Sequence, residues 1–90
     1  MIEQERAEIA AAIASLPPTH QRLLRVAVVP GQAGRGWQAR LFRVSRQSIG
    51  VWRLRIASAL GANDWNHAVY MAFIANAVEP EIIEVSTMAT

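Results

Sequence analysis

Between residues 9 and 63 the chain carries eight arginines and no carboxylate. These are Arg22, Arg25, Arg35, Arg40, Arg43, Arg46, Arg53 and Arg55, while the acids are confined to Glu3, Glu5 and Glu8 before them and Asp64, Glu79, Glu81 and Glu84 after them. A formal net charge of +2 therefore conceals a central stretch of +8, the footprint of a surface that faces phosphates. All nine basic residues are arginine, whose planar fork suits phosphates and guanine edges. An arginine-only, alanine-rich chain is equally what a GC-rich genome would encode, and the two explanations stand side by side. The chemistry on offer is non-covalent recognition.

Covalent and metal chemistry find little footing. Cysteine is absent, which excludes disulfides, thiolate metal sites and thiol nucleophiles and leaves the cytoplasm as the expected compartment. His20 and His67 are far apart, Asp64 is the sole aspartate, and no spacing suggests a triad or a zinc site. No enzyme, metal or cofactor is expected. His67, on an apolar helix, reads as an interface histidine rather than a ligand. The loop Gln32 to Gly36 has the glycines of a phosphate cradle, but no Lys-Ser/Thr follows and no strand precedes it, so it reads as a connector.

The segment Gln38 to Trp52 follows the spacing of a helix-turn-helix. Ala39 is small where two helices would cross closest, Phe42, Val44, Ile49 and Trp52 can fill a shared core, and Ser45 can cap the second helix. Arg43 occupies the turn position that usually needs glycine, so a differently wound turn stays open. Along the second helix, steps of 100° put Ile49, Trp52, Ile56 and Leu60 inward and Gln47, Gly50, Val51, Leu54 and Ser58 outward. Arg46, Gln47, Gly50, Val51 and Leu54 are the candidate base contacts: Gln47 for an adenine edge, Arg46 for guanine or phosphate, Val51 for a thymine methyl, Gly50 for close approach. Arg35, Gln38, Arg40, Arg43, Ser45, Arg53 and Arg55 are the candidate phosphate contacts. Val51 and Leu54 admit another reading, as an apolar ridge for a protein partner.

The surrounding elements must hold this segment in place. Ile2, Ile9, Ile13 and Leu16 predict an amphipathic helix over 2–16, ended by Pro17-Pro18. A second helix is expected from His20 to about Val29 with Thr19 as its cap, followed by Pro30-Gly31. Helices over 36–43 and 45–60 carry the motif, Gly61 closes the latter, and Asn63 or Asp64 caps a fifth helix to Val78. That last helix is apolar nearly all round, which in a ninety-residue chain of 52% hydrophobic content predicts cover by a second copy. Trp65, Val69, Tyr70, Phe73, Ile74 and Ala77 are the expected dimer interface. Glu81 to Val85 could form a short strand pairing with its copy.

Leu16-Pro17-Pro18 with Gln21-Arg22-Leu23-Leu24, then Val44-Ser45-Arg46-Gln47-Ser48-Ile49, then Leu60-Gly61-Ala62-Asn63 before another helix, together resemble the four-helix DNA-binding domain of LuxR-type regulators and the related sigma-factor region 4. The resemblance spans residues 16 to 75, with Arg43 and the Gly-rich loop before Trp37 departing from the pattern. It implies that the helix beginning at Ser45 enters the major groove and that the helix after Gly61 mediates dimerisation. Ala39 to Trp52 is also similar to plasmid repressors of the KorA/TrfB kind, and both resemblances imply transcriptional control.

The expectation is thus one all-α domain of about five helices: an N-terminal helix (1–16), a DNA-binding core (19–61), a dimerisation helix (63–78) and a tail (79–90). It would be a cytoplasmic, homodimeric regulator of double-stranded DNA acting on a palindromic operator, most simply a repressor of bacterial, phage or plasmid origin. The alternative is a protein-interaction module or anti-activator built on the same scaffold, with a second regulator as partner. The acidic start Met1-Ile2-Glu3-Gln4-Glu5 and the short apolar runs predict neither export nor membrane insertion.

Overall fold

A computed structural model describes residues 2–84. Five helices form an all-α fold: α1 (Glu3–Ala14), α2 (Pro18–Ala27), α3 (Arg35–Phe42), α4 (Arg46–Ala59) and α5 (Trp65–Ile74). Among the described residues none is in a strand. No helix among them is long and apolar enough to cross a membrane.

Helix α4 is the hub. It packs against each of the other four helices, and α3 rests chiefly on it. The side chains facing this centre, Leu23 and Leu24 from α2 and Ile49 and Ile56 from α4, are wholly buried. Ile9 and Ile13 of α1 and Leu60 extend the same core. The inward set spaced at 100° along α4 is therefore the one that packs, with Trp52 half-buried at its edge.

Three helices end in the same way. At α3, α4 and α5 the chain turns through a left-handed residue, Arg43 (φ 57°), Gly61 (φ 67°) and Asn76 (φ 50°). Each turn is closed by a pair of amides returning to the last helical carbonyls. Val44 bonds Ala39 at 3.0 Å, Ala62 bonds Ala57 at 2.9 Å and Ala77 bonds Ala72 at 3.1 Å, each alongside a bond from the left-handed residue itself to the carbonyl three residues back. Asn76 is the reason α5 stops at Ile74 and not at Val78 as its apolar run predicted. Asparagine tolerates the left-handed region far better than the β-branched and aromatic residues around it.

At the amino ends, the start of α2 moves while α5 is capped at one of the two positions expected. Helix α2 begins at Pro18 with Pro17 as its cap, since proline's fixed φ and missing N–H suit the first helical position. Thr19, expected to be the cap, lies inside the helix with its hydroxyl 3.2 Å from His20 Nδ1. At α5 the cap is Asp64, which accepts the His67 N–H at 2.8 Å, while the His67 ring accepts the Asn63 N–H at 3.0 Å. His67 thus braces the helix entry from both directions.

The core side of α5 consists of alanines: Ala68, Ala72 and Ala75 are buried. Small residues let its backbone approach the core closely and turn the large side chains outward. Tyr70 is 62% exposed, Phe73 61% and Ile74 39%, while Trp65, Val69 and Ala77 are half-buried against the core. The chain itself therefore covers one side of this helix.

After Val78 the chain folds back. The Glu81 N–H donates to the Arg25 carbonyl at 2.9 Å and the Ile83 N–H to Gln32 Oε1 at 2.8 Å. Residues 81–84 are not a strand, because their amides meet a helix end and a side chain. Val85, the last residue of the expected strand, lies outside the described residues.

Candidate nucleic-acid interface

The α3–turn–α4 unit is built as its sequence spacing predicts. Arg43 adopts the left-handed conformation directly, so the turn keeps the length expected with glycine. Ala39 is buried where α3 crosses α4, and the Ser45 hydroxyl accepts the Ser48 N–H at 3.0 Å while donating to the Ser48 hydroxyl at 3.0 Å. The first turn of α4 is thereby fixed by a side-chain cap.

Of the candidate base contacts, Arg46, Gln47, Val51 and Leu54 lie exposed on one face of α4, Leu54 at 73%. Gly50 is half-buried, and what approaches it is the Arg35 guanidinium, 3.9 Å from where a Cβ would sit. Gly36 plays the matching part for Arg46: a Cβ there would come within 2.5 Å of Nη2. Two glycines thus seat two guanidinium groups against the motif, a role for Gly36 that composition did not reveal.

The candidate phosphate contacts divide. Arg35, Arg40, Arg43, Ser45 and Arg55 are exposed. Gln38 is wholly buried, which removes it from any external contact. Its amide donates to the Gln32 carbonyl at 2.9 Å and its Oε1 accepts from Arg53 Nη2 at 2.7 Å. Arg53 is turned inward too, donating also to the Ala33 carbonyl at 2.8 Å and lying over the Trp65 ring at 5.1 Å. Burial, and then the neighbouring Arg35 charge, lower its pKa. Its role is to tie α4 to the loop before α3 and to the start of α5, so it is corrected from a phosphate contact to a structural one.

Two more arginines are taken up by the returning tail. Glu81 accepts from Arg22 Nη2 at 2.9 Å and from Arg25 Nη2 at 3.3 Å. The hydrogen bond from Arg22 is the largest influence on the Glu81 carboxyl and holds it below its ordinary range, against an opposing effect of burial. Separations of 59 and 56 residues leave no local signal by which the sequence could announce these pairs. The acid-free belt is thus acid-free along the chain but not in space.

His20 is buried and stacks on Trp52, with ring centroids 5.2 Å apart. Trp52 in turn meets the Phe42 edge at 5.7 Å. Burial and then the Arg55 charge lower the His20 pKa, and its Nε2 has no hydrogen-bond partner among the described residues. This aromatic stack anchors α2 to the motif from behind.

Arg35, Arg40, Arg43, Arg46 and Arg55 are exposed, and α4 presents Gln47, Val51 and Leu54 outward. Such a surface can neutralise phosphates while an amide and two apolar side chains meet flat edges between them. Comparison with known protein families, with curated proteins and with solved structures finds no match.

Proposed function

We propose that this chain binds double-stranded DNA with α4 in the major groove, as a cytoplasmic homodimeric regulator, most simply a repressor. The observation that carries the reading is the outward face of α4: Gln47, Val51 and Leu54 exposed on a helix that also carries exposed Arg46 and Arg55, with Arg35 exposed on α3 and Arg43 in the turn. Arg46 and Gln47 stand at its amino-terminal end, the end that meets base edges in a helix-turn-helix. The dimer is supported by α5, which has no charged residue and turns Tyr70, Phe73 and Ile74 outward beside a groove of about 330 Å³ lined by Val28, Pro30 and Val69. An uncharged face lets two positively charged copies meet without like-charge contact.

Selection of bound duplexes from random DNA tests the reading, because a two-fold regulator enriches palindromes with half-sites about one helical turn apart. Arg46→Ala and Gln47→Ala then relax sequence choice, while Arg55→Ala weakens binding to all sequences. Retention of no duplex at low salt would refute it. Sedimentation tests the dimer. Phe73 is 61% exposed, so Phe73→Glu leaves a folded chain and is expected to halve the mass.

A second reading is favoured by one observation. Leu54, 73% exposed, borders a groove of about 410 Å³ together with Val51, Trp65 and Arg35. An apolar ridge beside a groove also suits a helix of another regulator. Capture of such a regulator that is lost on Leu54→Ser, with no duplex retained, would select it.

A further inference from the structure

Two buried glutamines join the returning tail to α4. Gln32 is 6% exposed and spends its whole amide: Nε2 donates to the Val26 carbonyl at 3.0 Å and to the Glu81 carbonyl at 2.9 Å, and Oε1 accepts the Ile83 N–H at 2.8 Å. Its own carbonyl accepts from Gln38, whose Oε1 accepts from Arg53 on α4. Arg53 then lies on Trp65 at the start of α5. The run of bonds is unbroken from the tail to the middle of α4 and to the helix beyond it.

Each link is costly to leave half-made. A buried amide that loses a partner keeps its desolvation penalty, so the chain of bonds favours two states, tail docked with the network complete or tail released with Gln32 and its neighbours rearranged. Glu81 is the latch, because its carboxylate is the charged group that holds the tail against α2 through Arg22 and Arg25. We infer that residues 79–83 act as a strap that seats α4 through Gln32, Gln38 and Arg53, making these side chains positioning residues for sequence discrimination. The inference rests on the DNA-binding reading above.

The strap makes a prediction opposite to that of simple charge masking. If Glu81 merely neutralised Arg22 and Arg25, removing it would raise affinity for every duplex alike. If the strap seats α4, Glu81→Ala lowers the ratio of affinities for a selected duplex over an unrelated one, by about tenfold, within the usual range of coupling between sites. The full chain is used, with helicity checked by circular dichroism. Nitrogen-resolved NMR follows the Gln38 side-chain amide and the Trp65 indole, both of which are expected to shift although neither touches Glu81. Glu81→Gln keeps an acceptor for the arginines and is expected to recover most of the ratio. Ile83→Pro, which deletes the N–H bound by Gln32, repeats the loss without altering charge.

An unchanged ratio in Glu81→Ala and Ile83→Pro overturns the inference, as does a lowered ratio with the Gln38 and Trp65 signals unmoved. Should the unaltered chain retain no duplex at all, the DNA-binding reading fails. The mechanical link is then judged by the NMR shifts alone, and their absence overturns that as well.

Discussion

Replacing Arg43 by glycine sets stability against binding. Arg43 holds φ 57° and ψ 46°, where an L-residue is strained by roughly 1–2 kcal/mol. Glycine removes that strain but costs about 0.5–1 kcal/mol of additional chain entropy on folding. The net expectation is a gain of about 0.5–1 kcal/mol, which for a domain of this size raises Tm by roughly 2–8 °C. Arg43→Ala is the control, since alanine keeps the strain and loses the guanidinium. Thermal unfolding followed by circular dichroism should therefore rank Arg43→Gly above both the parent and Arg43→Ala. Binding should run the other way, both variants losing about one phosphate contact and flattening the log–log salt dependence by about 0.9. Equal Tm values for the glycine and alanine variants would refute the strain argument. An unchanged salt slope in both would remove Arg43 from the phosphate-facing set.

Three further outcomes are expected. The buried His20 titrates below its ordinary value of 6.5, so the unfolded chain takes up the proton first; this contribution to stability is full above pH 6.5 and is lost as pH falls through the lowered folded pKa. Tm measured across that window should fall on acidification, and His20→Phe, which keeps the stack on Trp52, should flatten the dependence. Asp64→Ala removes the α5 cap and should cost about 1 kcal/mol in urea unfolding. Gln38→Leu leaves the Gln32 carbonyl and the Arg53 guanidinium short of a partner and should destabilise by about 1–3 kcal/mol or more; a neutral result would show that water replaces the amide.

Much of the α3–turn–α4 unit was legible because its determinants are local. The buried set Ile49, Ile56 and Leu60 follows from helical periodicity, Ser45 from its place before an apolar run, and Gly61 from its need for a positive φ. Arg43 shows the limit of the turn rule: the returning amide of Val44 holds a non-glycine residue in the same conformation. Gln38, Arg53 and Glu81 were illegible for one shared reason. A polar side chain can turn inward when partners meet its main donors and acceptors, and the partners here lie 6 to 59 residues away. Polarity alone reads as exposure, which sends Gln38 and Arg53 to the wrong side of the helix. The α5 boundary failed differently, because hydrophobic periodicity ran past Asn76 and only the backbone conformation there ends the helix.

The redistribution of arginines changes what the belt can do. Of eight between residues 9 and 63, Arg22 and Arg25 are engaged by Glu81 and Arg53 is turned inward, while Arg35, Arg43, Arg46 and Arg55 are exposed around α4. Under the proposed DNA-binding reading, four phosphate contacts would bound the salt slope of one copy at about −3.6, and two copies on adjacent half-sites at about −7.2. A belt of eight would let a single copy hold DNA firmly wherever it landed. With four, a single copy is expected on that reading to depend more heavily on the base edges it meets and firm binding to need two such copies, with the outward aromatics of α5 as the proposed means of joining them. The arginines engaged inside the fold hold α4, the tail and α5 in one arrangement, so charge given up at the surface returns as a fixed orientation of the helix proposed to meet the base edges.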